Sequence, residues 1–137
     1  MCCPYFIPQE RHDADLWPWR RRLPLGDAFG GGCSAPGHQR EQPDDEALRQ
    51  CNLGYALCAW LPAERTADAV RFSVSRDAPE ILRILYATEL NHAPAESGVL
   101  EFSRATSTCL NAHRDERLQR QAECFLAAYL SRRPHAP

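Results

Sequence analysis

Seven cysteines lie along this chain of 137 residues, and five of them, Cys2, Cys3, Cys33, Cys51 and Cys58, come before residue 59. Thiolates are the soft ligands taken by Zn²⁺ and by iron–sulfur clusters, and each asks for four of them. Four sulfurs from distant positions converge only where the backbone turns freely. The early cysteines sit beside such backbone: the N-terminal segment, Gly30-Gly31-Gly32 before Cys33, and Asn52-Leu53-Gly54 after Cys51. The spacing points to a metal site made of Cys3, Cys33, Cys51 and Cys58. Cys2 is the substitute for Cys3, and His38, five residues after Cys33, is the substitute imidazole. Trp60, Tyr55 and Phe6 are the side chains expected to keep water from it.

One pair tests the idea geometrically. On an unbroken helix Cys51 and Cys58 would share a face but stand about 10 Å apart along the axis, too far to share one Zn²⁺. A helix that ends at Gly54 delivers Cys51 from its last turn and lets the loop 55–60 return Cys58. An iron–sulfur cluster is wider and accepts the separation more easily, so both metals stay open. No CxxC pair is present, and the spacing matches neither a ferredoxin nor a zinc finger. The opposing reading is a set of scattered free thiols. Cys124, beside Phe125, reads as a small buried hydrophobe, and Cys109 falls in the loop before the last helix; neither is assigned to the site.

The segments MCCPYF, LPLGD with GGGC, and CNLGYA with the cysteine that follows resemble short, uncharacterised cysteine-containing proteins of GC-rich bacteria. The resemblance covers mainly the first 60 residues. It implies that the five early cysteines act as a group and implies no chemistry.

Other reactive arrangements are weaker. Cys2 exposed by loss of Met1 would carry an amine beside a thiol, but N-terminal nucleophile hydrolases are built on larger layered sheets. His92 and His113 read as surface residues of a loop and a first helical turn, not as partners of a catalytic cysteine. Trp17-Pro18-Trp19 with Arg20-Arg21-Arg22 mixes aromatic and basic residues as single-strand binders do. One basic triplet among eighteen carboxylates makes a nucleic-acid partner unlikely on charge grounds. Gly30-Gly31-Gly32 lacks the spacing and the lysine of a phosphate loop. The chain is read as leaning away from an enzyme.

The elements that must position these residues divide the chain in two. Residues 1–62 carry Pro4, Pro8, Pro18, Pro24, Pro36 and Pro43 and the glycine run, which erase helical and alternating periodicity. They also hold Phe6, Leu16, Trp17, Leu25 and Phe29, too much apolar mass for a solvated tail. An irregular Pro/Cys-rich wrap is expected there, with one short helix opened by Asp44-Asp45-Glu46 and closed at Gly54.

Residues 63–137 are expected to form a β-β-β-α core. Val70, Phe72 and Val74 alternate with polar residues over 68–75, 81–88 reads as a more buried strand, and 99–104 as a third. A loop with Pro94 and Gly98 separates the last two. Over 111–133, Leu118, Ala122, Phe125 and Tyr129 recur on one helical face, and Pro134 ends it. The fold class is therefore α+β: a three-stranded antiparallel meander, a C-terminal amphipathic helix, and the Cys-rich wrap, all in one domain.

Composition sets the outer bounds. Hydrophobic residues make up 44% and charged residues 25%, ordinary for a globular domain. All sixteen basic residues are Arg, and 19 Ala stand against three Ile and three Asn, the imprint of a GC-rich, bacterial genome. A net charge of −2 supplies no positive field for phosphate backbones. No run approaches the length of a membrane span, and the N-terminus does not read as a secretory signal. A cytoplasmic protein with reduced cysteines follows. The expected function is metal binding, structural or electron-transferring. The alternative is a cofactor-free interaction module that uses the sheet's second face, or Trp17 and Trp19, to hold a protein partner.

Overall fold

The computed structural model describes residues 2–11, 24–25, 29–39, 43, 48, 51–52 and 58–132. Its larger sheet has four antiparallel strands in chain order: β3 (Ala69–Asp77), β4 (Ile81–Leu90), β5 (Ala93–Ser103) and β6 (Thr108–Cys109). The alternation read in the sequence sorts the two faces. Val70 pairs with Thr88, Phe72 with Tyr86, Val74 with Ile84, and Ile84 in turn with Leu100. These side chains gather on the inner face, while Arg71, Ser73, Leu85 and Val99 occupy the other.

The expected three-stranded meander is corrected here in two ways. Thr108 and Cys109, assigned to a loop, add a fourth strand through Phe102↔Cys109 and Ser103↔Thr108; two residues are too few for a period to show. The expected loop 91–98 is mostly strand. The chain reverses in two residues, Asn91 and His92, with φ of 53° and 62°, the left-handed pair of a tight hairpin that matches strand twist. Asn tolerates that conformation, but Asn-His is not the Asn-Gly signature, so the turn escaped notice.

The N-terminal half is not irregular throughout. β1 (Phe6–Arg11) and β2 (Phe29–Cys33) form an antiparallel hairpin. Pro8 is tolerated because it lies at the shift of register between Pro8 and Glu10, where a ladder can do without an N–H. The glycine run, read as a breaker, is strand. A Cβ on Gly31 would collide with the Ile7 carbonyl, whereas one on Gly32 would meet nothing. Glycine is needed at position 31 for the strands to approach. Ahead of the hairpin, Cys2 bridges to Val70 with N–H···O distances of 2.8 and 2.9 Å, so the N-terminal segment borders the outer edge of β3.

The helix α1 (Glu116–Arg132) begins five residues later than the periodicity implied, because Asp115 caps it. The Asp115 carboxylate accepts the Arg117 amide at 2.9 Å, satisfying one of the orphan donors of the first turn. Leu118, Gln121, Ala122, Cys124, Leu126 and Ala128 are buried, with Phe125 and Tyr129 partly so. That band is wider than the expected stripe because α1 packs on two things at once. Phe125 stacks on Phe72 of β3 at 5.7 Å between centroids. Facing β1, Arg120 Nε donates to the Pro8 carbonyl at 2.9 Å. One buried cluster joins Phe6, Leu25, Phe29, Leu48 and Cys51 to Leu82, Ile84, Leu118 and Leu126. Leu48, Cys51 and Asn52 are helical; the remainder of the expected short helix, Gly54 included, lies outside the described residues. Among the described residues no helix is long and apolar enough to cross a membrane.

Candidate metal centre

Cys3, Cys33, Cys51 and Cys58 are carried by four separate stretches of chain. Cys3 follows the Cys2–Val70 bridge, and its amide donates to the Cys51 carbonyl at 3.0 Å. Cys33 closes β2 opposite Phe6. Cys51 is carried by the helical turn, which Asn52 fixes in place. Asn52 is only 1% exposed; its Nδ2 donates to Phe29 O and Leu48 O, both at 2.9 Å, and its Oδ1 accepts the Phe29 amide at 3.1 Å. A side-chain amide thus pairs with the start of β2 as another strand would. Cys58 precedes the turn at Ala59-Trp60, where Leu61 N donates to Cys58 O at 3.2 Å.

The thiols act on one another. Burial pushes the Cys51 thiol up to about 12, and Cys3, Cys33 and Cys58 push it the same way. Burial likewise raises Cys3 to about 11, opposed by the Tyr5 and Phe6 amides and assisted by Cys33 and Cys58. Thiols so raised are protonated at neutral pH, and a divalent cation would have to displace those protons.

Backbone amides are already turned toward two of the sulfurs. Ala35 N donates to Cys33 Sγ and Trp60 N to Cys58 Sγ, both at 3.4 Å. In each case the donor lies two residues beyond the cysteine. An N–H aimed at sulfur favours thiolate over thiol, which suits a ligand. Among the described residues, no group of three or more His, Cys, Asp or Glu side chains is placed so that it could hold a metal ion.

The substitutes and neighbours have other occupations. Cys2, fully buried, donates its thiol to Gln121 Oε1 at 3.3 Å; burial first, and Cys3 next, hold it far above the usual thiol range. His38 lies flat against Trp60 with centroids 4.5 Å apart. Phe6, expected as a shield, is 1% exposed within the core, and Tyr55 lies outside the described residues. Cys109 Sγ accepts Gln119 Nε2 at 3.2 Å, and Cys124 points at Pro8 O at 3.8 Å.

Two features beside these cysteines were not read from the sequence. Gln121, fully buried on α1, donates Nε2 to Cys3 O at 2.8 Å and Phe6 O at 2.7 Å. It fixes the backbone on which Cys3 rides. A polar residue among Leu118, Ala122 and Phe125 was the available hint. Next to Cys3, a cavity of about 200 Å³ is lined by Tyr5, Thr88, Glu96, His113, Asp115 and Arg117 among others. The His113 side chain is 7% exposed, not the surface residue the sequence implied. Its Nε2 meets Glu96 Oε2 at 2.9 Å and its Nδ1 accepts the Asp115 amide at 2.9 Å. Tyr86 donates to the same carboxylate at 3.0 Å. His113, with Tyr86 and Arg114, holds Glu96 below the ordinary carboxylate range despite burial. With both imidazole nitrogens engaged, the cluster buttresses the cavity wall and leaves no free base. His92 lies in the β4–β5 turn; Trp17, Trp19 and Arg20 to Arg22 lie outside the described residues.

No protein-family model, curated protein or solved structure matches this chain.

Proposed function

We propose that this is a small cytoplasmic metal-binding protein in which Cys3, Cys33, Cys51 and Cys58 hold one Zn²⁺ in a structural role. The observation that carries the reading is backbone proximity: the Cys3 amide donates to the Cys51 carbonyl at 3.0 Å, and Cys33 pairs with Phe6, whose own amide returns to Cys3 O at 3.2 Å. The two amides turned toward sulfur support it. A single ion is preferred to a cluster because the backbones of Cys3 and Cys51 are hydrogen-bonded neighbours. Tetrahedral ligands at about 2.3 Å bring sulfurs to about 3.8 Å of one another. Closing such a site would tie the N-terminal segment, the β1–β2 hairpin and the helical turn together, and its binding free energy would be folding free energy.

The experiment is elemental analysis of anaerobically purified protein, followed by chelation. About one Zn per chain, with a melting temperature that falls on chelation, is the expected result. Cys33→Ser and Cys51→Ser should lose the metal, and Cys109→Ser should keep it. Absorption near roughly 400 nm with bound iron would replace zinc by an iron–sulfur cluster and an electron-transfer role. A metal-free protein indifferent to chelator overturns the reading. It would leave the cofactor-free interaction module, which the exposure of Leu85 (42%) and Val99 (40%) on the sheet's second face favours.

A further inference from the structure

We infer that the cavity beside the start of α1 is a binding site for a small free amino acid, with Arg117 taking the carboxylate and Glu96 the ammonium group. The inference stands apart from the four-cysteine reading and needs no metal. At about 200 Å³ the cavity falls below the roughly 300–1,000 Å³ of sites for drug-sized ligands. It suits a molecule of a few heavy atoms, and Pro4, Ala67, Val70 and Leu118 give it apolar lining.

Arg117 is set up to receive an anion. Asp115 takes its guanidinium through Nε and Nη2, both at 3.2 Å, and the guanidinium carbon lies 4.7 Å from the centroid of the Tyr5 ring. One edge and one face of the group are thus occupied, which fixes it. All three residues line the cavity. The edge that carries Nη1 has no partner among the described residues. A guanidinium edge of this kind matches the two oxygens of a carboxylate.

Glu96 brings the opposite charge to the same lining. Its Oε2 is committed to Tyr86 and His113, and these partners keep it ionised. Among the described residues its Oε1 meets only Arg114, at 3.6 Å, whose side chain is 85% exposed. Water leaves such a pair weak, so Oε1 is open to a second cation. Contacts run from Glu96 through His113 to Asp115 and on to Arg117, so both charges belong to one connected wall. Two carboxylates against one guanidinium repel a simple anion, and an amine alone leaves the Arg117 edge unmet. A zwitterion satisfies both.

The test is an NMR titration of the full chain with L-alanine, L-alaninamide, propionate and inorganic phosphate. L-Alanine should shift the Tyr5, Glu96 and Arg117 signals saturably, with a Kd on the order of 1 mM. Alaninamide lacks the carboxylate and propionate lacks the ammonium group, and each should bind about tenfold more weakly or worse. Arg117→Gln and Glu96→Gln should each weaken L-alanine by about tenfold, with circular dichroism reporting whether the fold is kept. Should either variant fail to fold, the alaninamide and propionate arms read the same two charges on the unaltered protein. No saturable shift with L-alanine at roughly 10 mM, tenfold above that Kd, overturns the inference. So does propionate or phosphate binding as tightly as L-alanine, or unchanged affinity in a folded Arg117→Gln.

Discussion

Gln121 offers the sharpest test of how the N-terminal segment is held. Replacing it by Leu keeps the volume and removes all three of its buried hydrogen bonds. Cys3 O retains the Phe6 amide at 3.2 Å, so that carbonyl is left weakly satisfied. Phe6 O loses its side-chain donor, and the Cys2 thiol, a weak donor, loses its acceptor. A buried acceptor without a partner costs about 1–3 kcal/mol. The two carbonyls together give about 2–4 kcal/mol, of which the leucine's added apolar burial returns about 1 kcal/mol. The net loss expected is about 1–3 kcal/mol, or roughly 5–10 °C in melting temperature for a chain of this size. Gln121→Ala should be worse, because it adds a cavity to the same losses. Urea denaturation and thermal melts followed by circular dichroism measure both. Leu within about 0.5 kcal/mol of wild type, well under the cost of one unmet buried acceptor, would refute the claim that this amide pins the segment to α1.

Three further outcomes are expected. Gly31→Ala should cost about 2 kcal/mol or more by forcing β1 away from β2, whereas Gly32→Ala should stay within about 0.5 kcal/mol; chemical denaturation of the pair reads the difference. Gly98→Ala should break the Tyr86–Glu96 hydrogen bond, since the new methyl would lie 2.6 Å from the Tyr86 hydroxyl, and loss of the Tyr86 signal change on titrating Glu96 by NMR would report it. Stability should fall in acid. Asp68 is lowered by the Asn91 amide and Arg65, Glu96 by His113, and Asp115, against its burial, by Arg117. Their folded values lie below the unfolded ones, so the stabilisation is complete above about pH 4.3 and is lost as pH falls through the folded values. Melts from pH 7 to pH 2 should show that decline, shallower in Asp68→Asn.

The sequence alone determined the regular half of the fold, because its signals are local. Val70, Phe72 and Val74 announce a half-buried strand by alternation, and Leu118, Ala122 and Phe125 announce a helix, since each period follows from side-chain direction along a single element. The proposal that Cys3, Cys33, Cys51 and Cys58 act together drew only on their residue type and the flexible backbone beside them. Pairing was beyond it. The β1–β2 hairpin was hidden because Pro8 and the glycines read as breakers until a partner strand supplies the register shift and the close approach that require them. Tertiary structure alone decided that the backbone of Cys2 pairs with Val70 and the amide of Cys3 with the Cys51 carbonyl. It alone recruited Gln121 and Asn52, whose partners lie 118 and 23 residues away, since a hydrogen bond acts through space and leaves no period along the chain.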